Sequence, residues 1–130
     1  MLFAIVYTSE SKFDFDMETL KALMVQSRVN NKKHGITGLL LYRDREFIQV
    51  LEGKEEDVNN AFQHIKNDFR HKSVEAIFKE PIERRYFPNW SMGLCRAEKV
   101  KALEQKSLSD LKYDKVTVYR LLNEFKKGEI

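Results

Sequence analysis

Short apolar runs alternate along the chain with segments in which apolar residues recur every three or four positions. Residues 3–8 form an apolar, β-rich run that predicts a first strand. Helical spacing then predicts a helix over residues 17–33, with Asp16 as its N-cap and Gly35 in the left-handed position that often follows a helix. The chain is therefore expected to open with a strand and an amphipathic helix.

A hairpin is predicted next. Residues 36–42 and 46–52 are β-rich runs, and the three residues between them, 43–45, have the length of a tight hairpin loop. Gly53 is expected to break the second of these strands.

A second helix is predicted to begin at the acidic residues 55–57 and to continue to about Asp68. Residues 73–78 alternate in the manner of a strand. The stretch 79–88 contains both prolines and is predicted to be a loop, and residues 90–95 are predicted to form the last strand.

This order of elements, β-α-β-β-α-β with one extra strand, predicts an α+β sandwich of the ferredoxin-like type. We expect a mixed sheet with both helices on one face. The segment 98–130 has an amphipathic stripe and is predicted to form C-terminal helices that cover the other face; a signalling or dimer surface is the alternative. The expected division is a domain over 1–97 and a helical extension over 98–130.

Composition excludes several classes of protein. With 130 residues, 42% apolar and 33% charged, the chain fits one globular domain. The net charge of +3 does not indicate a nucleic-acid or membrane partner. The single cysteine, Cys95, excludes an internal disulfide and a multi-thiolate metal site. No metal site is expected. No targeting or membrane-spanning segment is apparent, and a cytoplasmic location is expected.

Several polar residues occupy positions where the pattern calls for apolar ones. Ser27 and Asn31 continue the inward stripe of the first helix, and Asp68 shares the inward face of the second. Gln49 lies on an otherwise apolar strand face, and Tyr7 is expected beside it if the first and third strands are neighbours. A buried polar group without a partner costs roughly 1–3 kcal/mol. Their convergence predicts a ligand with an apolar body and a polar edge.

Taken singly, each of these residues also has an ordinary explanation. A strand tyrosine is often core filler, a strand glutamine often faces an edge, and an asparagine near a helix end is often a cap. Only the convergence favours a binding site.

The chain resembles a known family, the BLUF domains, which are flavin-binding sensors of blue light. The matching segments cover about residues 1–95 and follow one another in the expected order: IVYTS at 5–9, SRVNN at 27–31, GITGLLLY at 35–42, FIQVLEG at 47–53, ND-F-RH at 67–71 and FPNWSMG at 87–93.

The resemblance implies a non-covalent FAD, or FMN, with its ring between the two helices. Tyr7 and Gln49 would be the photoactive pair, and Asn31 would pair with the pyrimidine edge of the flavin. The other residues implied at or near the flavin are Ser27, Arg28, Asn30, His64, Asp68, Arg70 and His71, with Trp90 and Met92 photoactive in the last strand. His64 is a departure, because many members carry arginine there, which puts flavin affinity and spectral position in doubt.

The function implied is light sensing, not enzymatic catalysis. Light would drive electron and proton transfer from Tyr7, and a rearranged Gln49 would leave a red-shifted state. We expect the signal to pass to a separate, unidentified partner protein, and we expect self-association into a homo-oligomer. The alternatives are a flavin-free interaction module and an acyl-phosphate hydrolase, whose anion cradle is missing because residues 9–15 contain no Arg or Gly. An RNA-binding sheet is disfavoured because Phe47 is predicted to lie under the helices.

Overall fold

The computed structural model describes residues 1–12, 15–43, 45–68, 73–88 and 93–96. Its elements are β1 (Leu2–Glu10), α1 (Met17–Lys33), β2 (Thr37–Arg43), β3 (Glu46–Lys54), α2 (Glu55–Lys66), β4 (Glu75–Pro81) and β5 (Gly93–Arg96). They form one sheet in the order β4-β1-β3-β2-β5, in which β5 runs parallel to β2 and all other neighbours are antiparallel. The predicted α+β, ferredoxin-like architecture is confirmed, while the predicted helices of 98–130 lie outside the described residues.

The boundaries of α1 agree with the sequence prediction because local signals fix both ends. The Asp16 carboxylate accepts a hydrogen bond from the backbone N–H of Thr19 at 2.7 Å, which satisfies one of the free donors of the first turn. At the other end Gly35 has a φ of +64°, the left-handed conformation that a glycine adopts without strain.

The prediction that Gly53 breaks the third strand is wrong. Gly53 pairs with Phe3 of β1, and β3 continues to Lys54 before α2 begins at once. A Cβ on Gly53 would lie 3.1 Å from the carbonyl oxygen of Gly35, closer than ordinary van der Waals contact. The glycine therefore permits a close approach of two backbone segments without interrupting the strand.

The predicted loop over 79–88 is wrong for its first three residues, since β4 extends to Pro81. Pro81 pairs with Phe3, and among the described strands β4 lies at the edge of the sheet and is bonded to β1 alone. An edge strand tolerates a residue without an N–H donor. At its start β4 begins at Glu75, two residues later than predicted. Of the predicted last strand over 90–95, the described part is in β5; residues 90–92 lie outside the described residues.

Both helices pack on one face of the sheet, as predicted. The core on that side contains the following residues of the strands, the helices and the segment before β2: Phe3, Ile5, Tyr7, Leu40, Phe47, Leu51, Leu20, Met24, Val58, Phe62 and Ile36. Residues that alternate with these along the strands, among them Val6, Leu39 and Ile48, are also buried, so neither face of the sheet centre is open to water. The burial of Phe47 removes the aromatic platform that an RNA-binding sheet would need.

Candidate functional site

A tyrosine and a glutamine form a hydrogen-bonded pair at the centre of the sheet. Tyr7 of β1 lies directly opposite Gln49 of β3 in the strand register, and its hydroxyl donates a hydrogen bond to Gln49 Oε1. Only 1% of Tyr7 and 8% of Gln49 is exposed. The prediction that these two side chains lie side by side is confirmed.

The surroundings keep the phenol of Tyr7 protonated. Burial raises its pKa far above the ordinary value, because a phenolate would lose its hydration inside the core. The ring also packs against Phe62 of α2, with the two centroids 5.3 Å apart and the planes tilted by 58°. Tyr7 is therefore a fixed hydrogen-bond donor, and its ring is held by contacts that do not involve the hydroxyl.

A cavity of about 560 Å³ opens beside this pair, between α1 and α2 and above β3. This volume is in the usual range for small-molecule and cofactor sites. Its wall combines apolar and polar side chains: Ile36, Leu51, Ala61 and Ile65, together with Ser27, Asn30, Asn31, His34, Gln49, Asp57, Asn60 and His64. A flat ligand with an apolar body and hydrogen-bonding edges matches such a wall.

A second, smaller cavity of about 120 Å³ lies on the tyrosine side of the pair. Tyr7, Phe47 and Asp68 contribute to its wall. Gln49 lines both cavities, whereas Tyr7 lines only the smaller of these two. Gln49 therefore connects Tyr7 to the large cavity, because it lines that cavity and its carboxamide accepts the hydrogen bond of the Tyr7 hydroxyl.

Most of the described residues that the sequence indicated are brought together here. Asn31 is 8% exposed and lines the large cavity with Ser27, Asn30 and His64. Asp68 is at the small one. Arg28 is exposed on α1 and lines neither of these cavities. Four further predicted residues lie outside the described residues: Arg70, His71, Trp90 and Met92.

Sequence reasoning missed three residues of the large cavity, His34, Asp57 and Asn60. A signal for two of them was present, because Asp57, Asn60 and His64 follow one another at intervals of three and four residues and so share one face of α2. His34 carried no such signal, since it follows the last turn of α1 and enters the cavity wall only when the two helices pack together.

The residues present fit a flavin. Buried amide groups at Asn31 and Gln49 can donate and accept hydrogen bonds at a polar ring edge, and the apolar wall can contact the ring faces. Within the described ranges, no group of three or more His, Cys, Asp and Glu side chains is placed to hold a metal ion. Neither of the two described helices is long and apolar enough to cross a membrane.

The comparison with protein families agrees with this site. The family model for BLUF, described as sensors of blue-light using FAD, matches residues 2–93. The chain belongs to the BLUF family. This BLUF chain is 30% identical over 98 residues to the photoactivated adenylate cyclase subunit beta of Euglena gracilis, an alignment that covers 75% of this chain and 11% of the cyclase subunit.

A bacterial relative is the blue light- and temperature-regulated antirepressor BluF of Escherichia coli strain K12. It is 28% identical over 94 residues, which are 72% of this chain and 23% of the antirepressor. The chain therefore spans only a small part of these curated relatives.

Two solved BLUF structures match nearly the whole chain. The dark-state structure of the BLUF protein BlrB has a TM-score of 0.75 at 32% identity and covers 95% of this chain and 90% of its own. The photo-activated state of BlsA matches with a TM-score of 0.86 at 26% identity, and the match covers 99% of this chain and 97% of the BlsA chain.

Proposed function

We propose that this BLUF protein is a blue-light receptor that holds a flavin non-covalently in the cavity between α1 and α2. The observation that carries the proposal is the buried hydrogen bond from Tyr7 to Gln49 at the wall of that cavity. FAD is the cofactor in the family description, and we extend it to this chain with FMN as the second candidate. Both share the ring system that the cavity residues would contact.

Tyr7 is proposed as the electron donor. A bound flavin, when excited by blue light, supplies an acceptor strong enough to oxidise a phenol. The hydroxyl of Tyr7 already points at Gln49 Oε1, so its proton has an acceptor when the ring loses an electron. Because Gln49 also lines the large cavity, a rotation or tautomerisation of its amide changes the hydrogen bond that it presents there after the electron and proton have returned to Tyr7.

Binding and tuning fall to the other cavity residues. Asn31 is proposed to pair with the pyrimidine edge of the ring, and Ser27 and Asn30 to complete the α1 side of the pocket. His64 of α2 lines the large cavity, where it supplies a hydrogen-bond donor without a permanent charge. Asp68 lines the small cavity and is proposed to complete the pocket. On the resemblance to the family, Arg28 and His71 are proposed to lie near the ribityl chain or phosphate of the flavin, and Arg70 is assigned to the same binding set.

The output is proposed to pass to another protein. The curated relatives are named as adenylate cyclase subunits and as an antirepressor, and this chain matches 11% of a cyclase subunit and 23% of the antirepressor. We accordingly propose a sensor without catalytic activity, which acts on a separate partner and self-associates. Trp90 and Met92 in the predicted last strand are proposed to respond to the change at Gln49.

Absorption spectroscopy tests this function directly. Purified protein is expected to be yellow, to shift its visible band reversibly to longer wavelength under blue light, and to release FAD or FMN when denatured. Protein isolated without colour is incubated with FAD and with FMN before the measurement. A protein that remains colourless after both incubations would refute the proposal and favour a flavin-free interaction module.

A further inference from the structure

A buried carboxylate on the opposite side of β3 binds the chain that leads towards β5. Glu52 follows Gln49 by three residues and therefore points to the other sheet face, where none of its surface is exposed. Its Oε2 accepts the backbone N–H of Tyr86 at 2.6 Å, and its Oε1 accepts the backbone N–H of Phe87 at 3.0 Å. Two successive amides of the β4–β5 connection are thus fixed to β3.

An arginine completes this attachment. Arg85 Nη1 donates to Thr37 Oγ1 at 2.8 Å and to the backbone carbonyl of Glu52 at 3.1 Å, and its Nη2 donates to the carbonyl of Gly35 at 2.7 Å. Thr37 Oγ1 in turn donates to Glu52 Oε1 at 3.2 Å. We use the name latch for the side chains of Thr37, Glu52 and Arg85 together with the backbone amides of Tyr86 and Phe87, which donate to Glu52.

The charges of the latch explain why it holds one geometry. A buried carboxylate is costly unless hydrogen-bond donors and a positive charge compensate for its lost hydration. Burial raises the pKa of Glu52, and the backbone amides of Tyr86 and Phe87, the Thr37 hydroxyl and the Arg85 guanidinium offset part of that cost. No buried side-chain nitrogen or oxygen of the described residues is left without a partner. Moving the connection away would leave Glu52 buried and under-satisfied.

The latch lies on β2 and β3, three residues along each strand from the row that contains Gln49 and Leu40. The connection must cross from β4 at one edge to β5 at the other, and the latch holds it beside β2 and β3. In the strand register, Leu40 of β2 lies opposite Gln49 on one side and Leu94 of β5 on the other. In this row Leu40 of β2 is the residue that separates Gln49 from β5.

We propose that the latch positions β5 and thereby slows the return of the light-adapted state to the dark state. This inference rests on the proposed function. Glu52 and Arg85 act as positioning residues, because their hydrogen bonds join the connection to β2, β3 and Gly35 and neither residue lines the two cavities. With the latch broken, the connection and β5 have more freedom to move, which lowers the barrier for Gln49 to recover its dark hydrogen bonds.

Two neighbouring arginines provide a matched pair of variants. Arg85→Met removes the guanidinium from the latch, and Arg84→Met removes the same charge from an exposed residue that is not part of it. Hydrogen–deuterium exchange of the Tyr86 and Phe87 amides in the dark, and the decay of the red shift after illumination, are measured for both. We expect R85M to raise amide exchange by about tenfold and to speed the decay by about three- to tenfold, since the three hydrogen bonds that the guanidinium donates to Thr37, Glu52 and Gly35 are lost.

Conservative variants separate positioning from a general loss of stability. Arg85→Lys keeps a cationic donor and is expected to regain part of the slow decay, while R84M should decay like the wild type. If R85M does not fold, Thr37→Val removes the hydroxyl shared by Arg85 and Glu52 with little change in shape, and the same two effects are expected.

Unchanged amide exchange in R85M, or faster exchange with wild-type decay, would overturn the inference while leaving the proposed function intact. A wild-type protein that never shifts its spectrum would instead refute the proposed function, and the inference with it.

Discussion

The hydroxyl of Tyr7 offers the most incisive test of the proposed photochemistry. Tyr7→Phe removes one oxygen atom and leaves the ring, whose contact with Phe62 at 5.3 Å does not depend on it. The variant loses the donor to Gln49 Oε1 inside the core. We expect it to bind flavin and stay yellow, and to show no reversible red shift, because the phenol proton and the hydrogen bond to be rearranged are both gone.

The same hydrogen bond determines how much stability Y7F is expected to lose. Loss of a buried hydrogen bond that leaves Gln49 Oε1 without this donor costs about 1–3 kcal/mol. Domains of this size are stable by about 5–15 kcal/mol, so Y7F should remain almost entirely folded. Thermal unfolding should show a melting temperature lowered by several degrees, and an absent light response is then not explained by unfolding.

Tyr42→Phe is the matched control. The Tyr42 hydroxyl accepts a hydrogen bond from the backbone N–H of Phe15 at 3.3 Å, and its ring packs against Phe47 on the same side of the sheet. The Tyr42 hydroxyl is not hydrogen-bonded to Gln49. We expect Y42F to keep a normal red shift. A normal red shift in Y7F would contradict the role of Tyr7, and a colourless Y7F would show that its hydroxyl serves flavin binding first.

Three further outcomes follow from named contacts. Gln49→Leu should keep the flavin and lose the red shift, which absorption spectra check, and should destabilise the fold by about 1–3 kcal/mol because the buried Tyr7 hydroxyl loses its acceptor. Asp16→Ala should lower the melting temperature by a few degrees at neutral pH. The backbone N–H of Thr19 lowers the pKa of Asp16, so this stabilisation is present above the ordinary carboxyl pKa, and the difference from wild type should disappear as the pH falls through the lowered value. Gly35→Ala should cost about 1 kcal/mol in chemical denaturation, because a φ of +64° strains any residue with a Cβ although the space there is open.

The pattern of residues along the chain was sufficient to predict α1 and the buried positions of Tyr7 and Gln49. The cap at Asp16, the helical spacing that follows and the glycine at Gly35 fix α1, because each acts through neighbours within one turn. The polar positions at Tyr7 and Gln49 were also readable, since alternation assigns each to the buried face of its strand. Their direct contact required only that β1 and β3 be neighbours, which the order of elements indicated.

Long-range pairing decided what the pattern could not. Gly53 resembles a strand breaker, yet pairing with Phe3 and the close approach of the Gly35 backbone keep it in β3. Pro81 resembles a loop residue, yet β4 lies at a sheet edge where its missing N–H is tolerated. The identity of a residue and its chain neighbours does not show which strand will pair with it, so the predictions for Gly53 and Pro81 were wrong.

The latch is the clearest case of a feature that belongs to the tertiary structure alone. In the sequence Glu52 is one of 20 acidic residues, and it sits at the end of an apolar run where an exposed charge would be ordinary. Its burial and its bonds to the amides of Tyr86 and Phe87 join residues more than thirty positions apart. The sequence by itself indicated the order of the helices and strands and the buried polar pair Tyr7 and Gln49. Packing of distant segments determined the strand ends, the cavity wall and the attachment of the β4–β5 connection, because burial and hydrogen-bond partners depend on neighbours in space.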